Sequence, residues 1–131
     1  MQIHQSAEDY LETILMLNQR MGRVRSIDVV NELGYTKASV SIAMKKLREN
    51  GYIAVDGEGN LTLLEPGREI AERIYSRHRL LTHFFVQLGV EEDIAAEDAC
   101  KAEHILSEQT LEKIREYALL HDAEDSVQKS E

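Results

Sequence analysis

Between Ser26 and Leu64 the sequence changes period from helical to extended with no long connector, and this restricts the fold more than any other feature. Ser26 to Leu33 places Ile27, Val30 and Leu33 at helical spacing, opened by a capping Ser26 and closed by Gly34. Tyr35 and Thr36 turn the chain into a second stretch, Lys37 to Asn50. There Val40, Met44 and Leu47 form an apolar stripe, and Lys37, Ser41, Lys45 and Arg48 recur on the opposite face. Directly afterwards Gly51 to Val55 and Leu61 to Leu64 flank the turn-forming run Asp56-Gly57-Glu58-Gly59-Asn60, which predicts a hairpin. Two short helices joined by a tight turn and followed by a hairpin predict a winged helix-turn-helix with a two-stranded wing.

The flanking segments are helical. Ser6 to Met21 carries Tyr10, Leu11, Ile14, Leu15 and Leu17 on one side, with Glu8 and Asp9 in the first turn, where the helix dipole favours anions. After Pro66 a long helix is predicted from Gly67 to Leu88, another from Glu91 to Leu106, and a last one from Ser107 that frays after His121. The predicted architecture is therefore mainly α. A winged helix-turn-helix spans residues 1–66, a helical domain 67–121 and a disordered acidic tail 122–131.

Charge separates the two halves. The chain as a whole carries −9, an unpromising value for a ligand of phosphates. Yet residues 19–52 hold seven Lys and Arg against three acids, a local balance of +4, while residues 89–131 hold four against thirteen, a balance of −9. A basic half bearing a helix-turn-helix points to double-stranded DNA. Lys37, Ser39, Ser41 and Lys45 are expected at the groove with Thr36 at the helix start, and Arg25 and Lys46 at phosphates. With Asp56 and Glu58 at its tip, the wing is expected to offer phosphate its backbone. No 18-residue apolar run and no signal pattern occur, which predicts a cytoplasmic protein without membrane contact. The single cysteine, Cys100, has no internal disulfide partner.

That cysteine lies in the run Cys100-Lys101-Ala102-Glu103-His104. On a helix, Cys100, Glu103 and His104 stand at i, i+3 and i+4 and leave one face, as half of a transition-metal site does. Considered alone, Cys100 also reads as a small buried hydrophobe, and the acidic pair Asp9 and Glu12 as a solvated first turn.

Taken together, Ser6-Ala7-Glu8-Asp9-Tyr10-Leu11-Glu12, the winged helix, Arg77-His78-Arg79-Leu80-Leu81 and Cys100 to Ser107 resemble the diphtheria toxin repressor family of metal-activated repressors. The resemblance covers about Ser6 to Tyr117. It implies a DNA-binding homodimer, a helical metal-binding and dimerisation domain, and no enzymatic activity or small-molecule substrate. By length the chain looks like the manganese transport regulator branch, and that likeness implies the metal ligands Asp9, Glu12, His78, Glu103 and His104. Cys100 stands where that branch has a further glutamate and the iron branch has cysteine. The positions of the iron branch's second-site carboxylate and histidine hold Thr82 and Ala96. The implied corepressor is Mn2+, with Fe2+ next and Zn2+, Co2+ or Ni2+ able to bind in vitro. The implied function is repression at palindromic operators of metal-uptake genes; the alternative is a metal-independent winged-helix regulator. Ile94, Ile105, Leu106, Leu111 and Ile114 are expected on the dimer face or in the monomer core.

Overall fold

A computed structural model describes residues 5–129, with side chains to residue 123. Its elements are α1 (Gln5–Met21), α2 (Ser26–Leu33), α3 (Lys37–Glu49), β1 (Ile53–Val55), β2 (Leu61–Leu63), α4 (Glu65–Gln87), α5 (Glu92–Ala102) and α6 (Glu108–Lys129). They form two compact units, one ending at Arg73 and the other beginning at Ile74, so the boundary falls inside α4, a turn or more beyond the expected residue 66.

The first unit is a winged helix-turn-helix. In α1 the predicted stripe Tyr10, Leu11, Ile14, Leu15 and Leu17 is buried, as is the stripe Val40, Met44 and Leu47 of α3. In α2 the fully buried residue is Val29, while Ile27 remains 42% exposed. This eight-residue helix packs on both α1 and α3, so the side wedged between them decides burial. Ser26 is its first helical residue and not its cap; the Asp28 carboxylate accepts the Arg25 N–H at 2.9 Å instead. Thr36 caps α3, its hydroxyl oxygen accepting the Ser39 N–H at 3.1 Å.

The wing pairs antiparallel in the register Ile53 with Leu63 and Val55 with Leu61. Arg25 adds a bridge to Asn60, and Leu61 N–H donates to Val24 O at 2.7 Å, which ties the wing to the segment before α2. At the tip the Asp56 carboxylate turns inward. Its Oδ1 accepts the N–H groups of Glu58 and Asn60, both at 2.9 Å, and Asn60 Nδ2 donates to Oδ2 at 3.0 Å. These bonds, those from Asn60 foremost, hold the Asp56 carboxyl below its ordinary value of 3.8. A depressed carboxyl stabilises the fold above its unfolded pKa and loses that contribution as pH falls through the folded value. The wing turn should therefore stay ordered down to pH 3.8. In a nuclear magnetic resonance titration, the amides of Glu58 and Asn60 should report a midpoint below that value; one at or above it would refute this account of the turn.

The second unit packs Leu81 of α4, Ala99 of α5 and Leu111 of α6 into a core, with Leu80, Phe85, Ala102, Leu106 and Ile114 against it. Leu106, Leu111 and Ile114 thus serve the monomer, whereas Ile94 and Ile105 are 46% and 76% exposed. Helix α6 continues to Lys129, through residues 122–129 where a disordered tail was expected; residues 130 and 131 lie outside the described residues. The extension is held at Asp122, whose carboxylate meets His83 Nε2 at 2.9 Å and accepts from Gln87 Nε2 at 2.9 Å. No helix among the described residues is long and apolar enough to cross a membrane.

Candidate metal centre and nucleic-acid interface

Helix α5 ends at Ala102, four residues before its predicted end. Glu103 is its C-cap, still in right-handed helical geometry at φ −59° and ψ −23°, and its N–H reaches Ala99 O at 2.9 Å. Ser107 then caps α6 by accepting the Thr110 N–H at 3.2 Å. With the next helix capped so soon, Glu103 and His104 fall in the turn between α5 and α6 and not on a continuing helical face.

The acid and imidazole side chains at the start of that turn are buried, while Ile105 beside them is exposed. Glu103 is 0% exposed and the His104 side chain 2%. Glu103 Oε2 lies 3.0 Å from His78 Nδ1, and Oε1 lies 3.4 Å from His104 Nε2, so one carboxylate stands between two imidazoles. With its proton on Nδ1, His78 donates to Glu103 and keeps the Nε2 lone pair that a metal requires. Cys100 remains exposed on the last turn of α5, with Sγ within 4.8 Å of a Glu103 carboxylate oxygen. The structure thus brings His78, Cys100, Glu103 and His104 together.

Asp9 and Glu12 lie one turn apart on α1, in the first unit. Glu12 is only 5% exposed, which is not the fate of a solvated acid. Burying a carboxylate such as Glu103 is costly unless donors or a cation offset it, and the carboxylate and imidazole groups of the helical unit are of the kinds that ligate divalent metals. Burial, followed by the charges of Tyr35 and Asp9, raises the pKa of the neighbouring Tyr10.

Sequence reasoning missed Arg77. Its Nη1 donates to Glu103 O at 3.2 Å and its Nη2 pairs with Glu108, so one guanidinium braces both sides of the turn. The Arg77-His78 adjacency was the available signal, because consecutive helical residues can hold a ligand's support as well as the ligand. Thr82, at the iron branch's second-site position, donates to His78 O at 2.8 Å and so supports its own helix.

On the first unit, Arg25, Thr36, Lys37, Ser39, Ser41, Lys45 and Lys46 are all exposed. Thr36 and Ser39 are also engaged with each other, the Thr36 hydroxyl donating to Ser39 Oγ at 2.9 Å. The Arg25 guanidinium lies over Gly59 of the wing, where an added Cβ would meet its nitrogens at 3.4 Å.

A winged helix with exposed cations, together with a buried carboxylate and imidazole cluster in a separate helical unit, defines a DNA-binding protein of the metal-sensing kind. Comparison with known proteins gives the family. The profile of the iron dependent repressor N-terminal DNA binding domain matches residues 2–61, and that of the iron dependent repressor metal binding and dimerisation domain matches residues 64–122. An uncharacterised helix-turn-helix-type transcriptional regulator of Methanocaldococcus jannaschii is 35% identical over 85% of this chain and 90% of its own. The regulator MntR of Bacillus subtilis is 31% identical over 95% and 87%. Among solved structures, a manganese-dependent transcriptional repressor in complex with manganese superposes with a TM-score of 0.78 at 29% identity, covering 86% of this chain and 52% of that one. The chain spans about half the length of such solved relatives. It belongs to the iron-dependent, or diphtheria toxin, repressor family, whose members are metal-dependent transcriptional repressors and not enzymes.

Proposed function

We propose that this chain is a cytoplasmic, homodimeric repressor with a divalent metal corepressor, Mn2+ before Fe2+, acting at palindromic operators of metal-uptake genes. The observation that carries the reading is Glu103, a fully buried carboxylate set between His78 and His104. The proposed ligands are Asp9, Glu12, His78, Cys100, Glu103 and His104. Bound there, a divalent cation supplies the positive charge that offsets the clustered carboxylates. Hard oxygen donors favour manganese, and the Cys100 thiolate favours iron(II), cobalt, nickel or zinc; three carboxylates against one thiolate leave manganese ahead. The manganese-bound repressor among the structural relatives supports the same order.

Asp9 and Glu12 belong to α1 of the DNA-binding unit, whereas the other four ligands belong to the helical unit. In the proposed mechanism a metal held by all six ligands would restrain α1. In a dimer this fixes the distance between recognition helices, which must reach major grooves about 34 Å apart. Linkage requires operator DNA to tighten metal affinity by the same factor. Exposed Ile94 and Ile105, with Leu119 and Leu120 of α6, supply apolar surface for the dimer.

The reading is tested by fluorescence anisotropy of labelled palindromic duplexes with and without Mn2+ or Fe2+, repeated for His104→Ala. Metal should strengthen binding by the 5- to 150-fold typical of allosteric coupling, and the variant should lose most of that gain. Binding that ignores both metal and mutation would leave the second reading, a metal-independent winged-helix regulator.

A further inference from the structure

Ile42 stands apart on the recognition helix. It is 58% exposed, the large apolar side chain among outward residues of α3 that are otherwise small or charged. At about 100° per residue it points away from the buried line Val40, Met44 and Leu47. Ala38 precedes it by one turn on the same outer face. The face has one fewer polar reader than its sequence suggests, because the Thr36 hydroxyl donates to Ser39 Oγ and accepts the Ser39 N–H. Ile42 also lines an open groove with Ser26, Ser41, Met44, Lys45, Arg48 and Val55, so hydroxyls and cations stand beside a small apolar floor there.

The partner that fits is a polyanion presenting a small apolar group at the centre of the contact. In duplex DNA that group is the thymine C5-methyl, the apolar feature of the major-groove base edges. The N-terminal half of a recognition helix, where Ala38 and Ile42 lie, is the part that reaches those edges. We infer that Ile42 is a specificity-determining residue, selecting a thymine in each operator half-site through its methyl group, with Ala38 leaving room for the base. This rests on the DNA-binding reading above.

The experiment begins with selection of duplexes from a random library by the full chain in Mn2+. Each thymine of the selected half-site is then replaced by deoxyuridine, which lacks only the methyl, and affinity is measured by anisotropy. One position should lose about fourfold, the worth of one buried methyl-sized group. Ile42→Ala should bind thymine and uracil equally there; its exposed position makes misfolding an unsuitable explanation. Equal binding of every uracil duplex by the unmodified protein, or undiminished uracil sensitivity in Ile42→Ala, would overturn the assignment while leaving DNA binding intact. Failure to select any sequence, with or without metal, would overturn the DNA-binding reading as well.

Discussion

Replacing Glu103 by glutamine is expected to abolish the metal response while leaving the protein folded. The amide keeps the size of the carboxylate and can still accept from His78 Nδ1, so the α5 to α6 turn keeps its shape. What disappears is a negative charge that is 0% exposed. Loss of a residue that only orients a metal-bound histidine costs roughly 10- to 100-fold in metal affinity, so loss of one that also ligates should reach about 100-fold or more. Without metal the sign reverses: a buried charge is removed, and apo stability should hold or rise. Calorimetric Mn2+ titration and thermal unfolding of apo Glu103→Gln measure the two effects separately. Unchanged metal affinity would remove Glu103 from the ligand set. Reduced affinity accompanied by a collapsed unfolding temperature would assign it to packing alone.

This residue also shows how far the sequence could be read. The i, i+3, i+4 spacing of Cys100, Glu103 and His104 assumed one helix running through all three, and the structure ends α5 at Ala102. The helix ends between them because α6 is capped at Ser107 and the chain needs a turn before it; periodicity placed the start at Ser107 but left no residues for that turn. Cys100 stays exposed while the other two are buried, a difference that one shared helical face would not produce. The fold was more legible, since the stripes of α1 and α3 and the wing turn use strong local signals: periodicity, capping and glycine. Where two packing partners compete, as for the short α2, periodicity chose Ile27 and packing chose Val29. The acidic wing tip was expected to meet phosphate through its backbone, and what the sequence left unread is that the Asp56 oxygens are occupied within the turn. Long-range supports such as Arg77 under Glu103, or His83 and Gln87 on Asp122, are separated by 26, 39 and 35 residues and left no local pattern.

Gly67→Ala should be the most damaging single-methyl change in the DNA-binding unit. Gly67 lies in the first turn of α4 with an ordinary helical backbone, so helix propensity alone predicts a gain of about 1 kcal/mol. Space decides otherwise. A Cβ at this position would sit 2.2 Å from Tyr52 O and 3.0 Å from Tyr52 C, both main-chain atoms that no side-chain rotation can move aside. That carbonyl also accepts the Leu64 N–H at 3.0 Å, so relieving the clash shifts the end of β2 or the start of α4. Overpacking of this kind costs roughly 1–3 kcal/mol or more, and a contact this short belongs at the upper end, leaving a net loss of about 2 kcal/mol. For a unit of this size that corresponds to a fall of roughly 8 to 16 °C in unfolding temperature. Because the displaced segment carries the wing, metal-saturated DNA affinity should fall too. Gly57→Ala is the control, since its Cβ meets nothing within 4 Å and its φ is not positive; it should unfold with the unaltered protein. Equal unfolding temperatures for Gly67→Ala and Gly57→Ala would mean that α4 and the wing slide past each other freely, and that the close approach at Tyr52 does not set the wing's position.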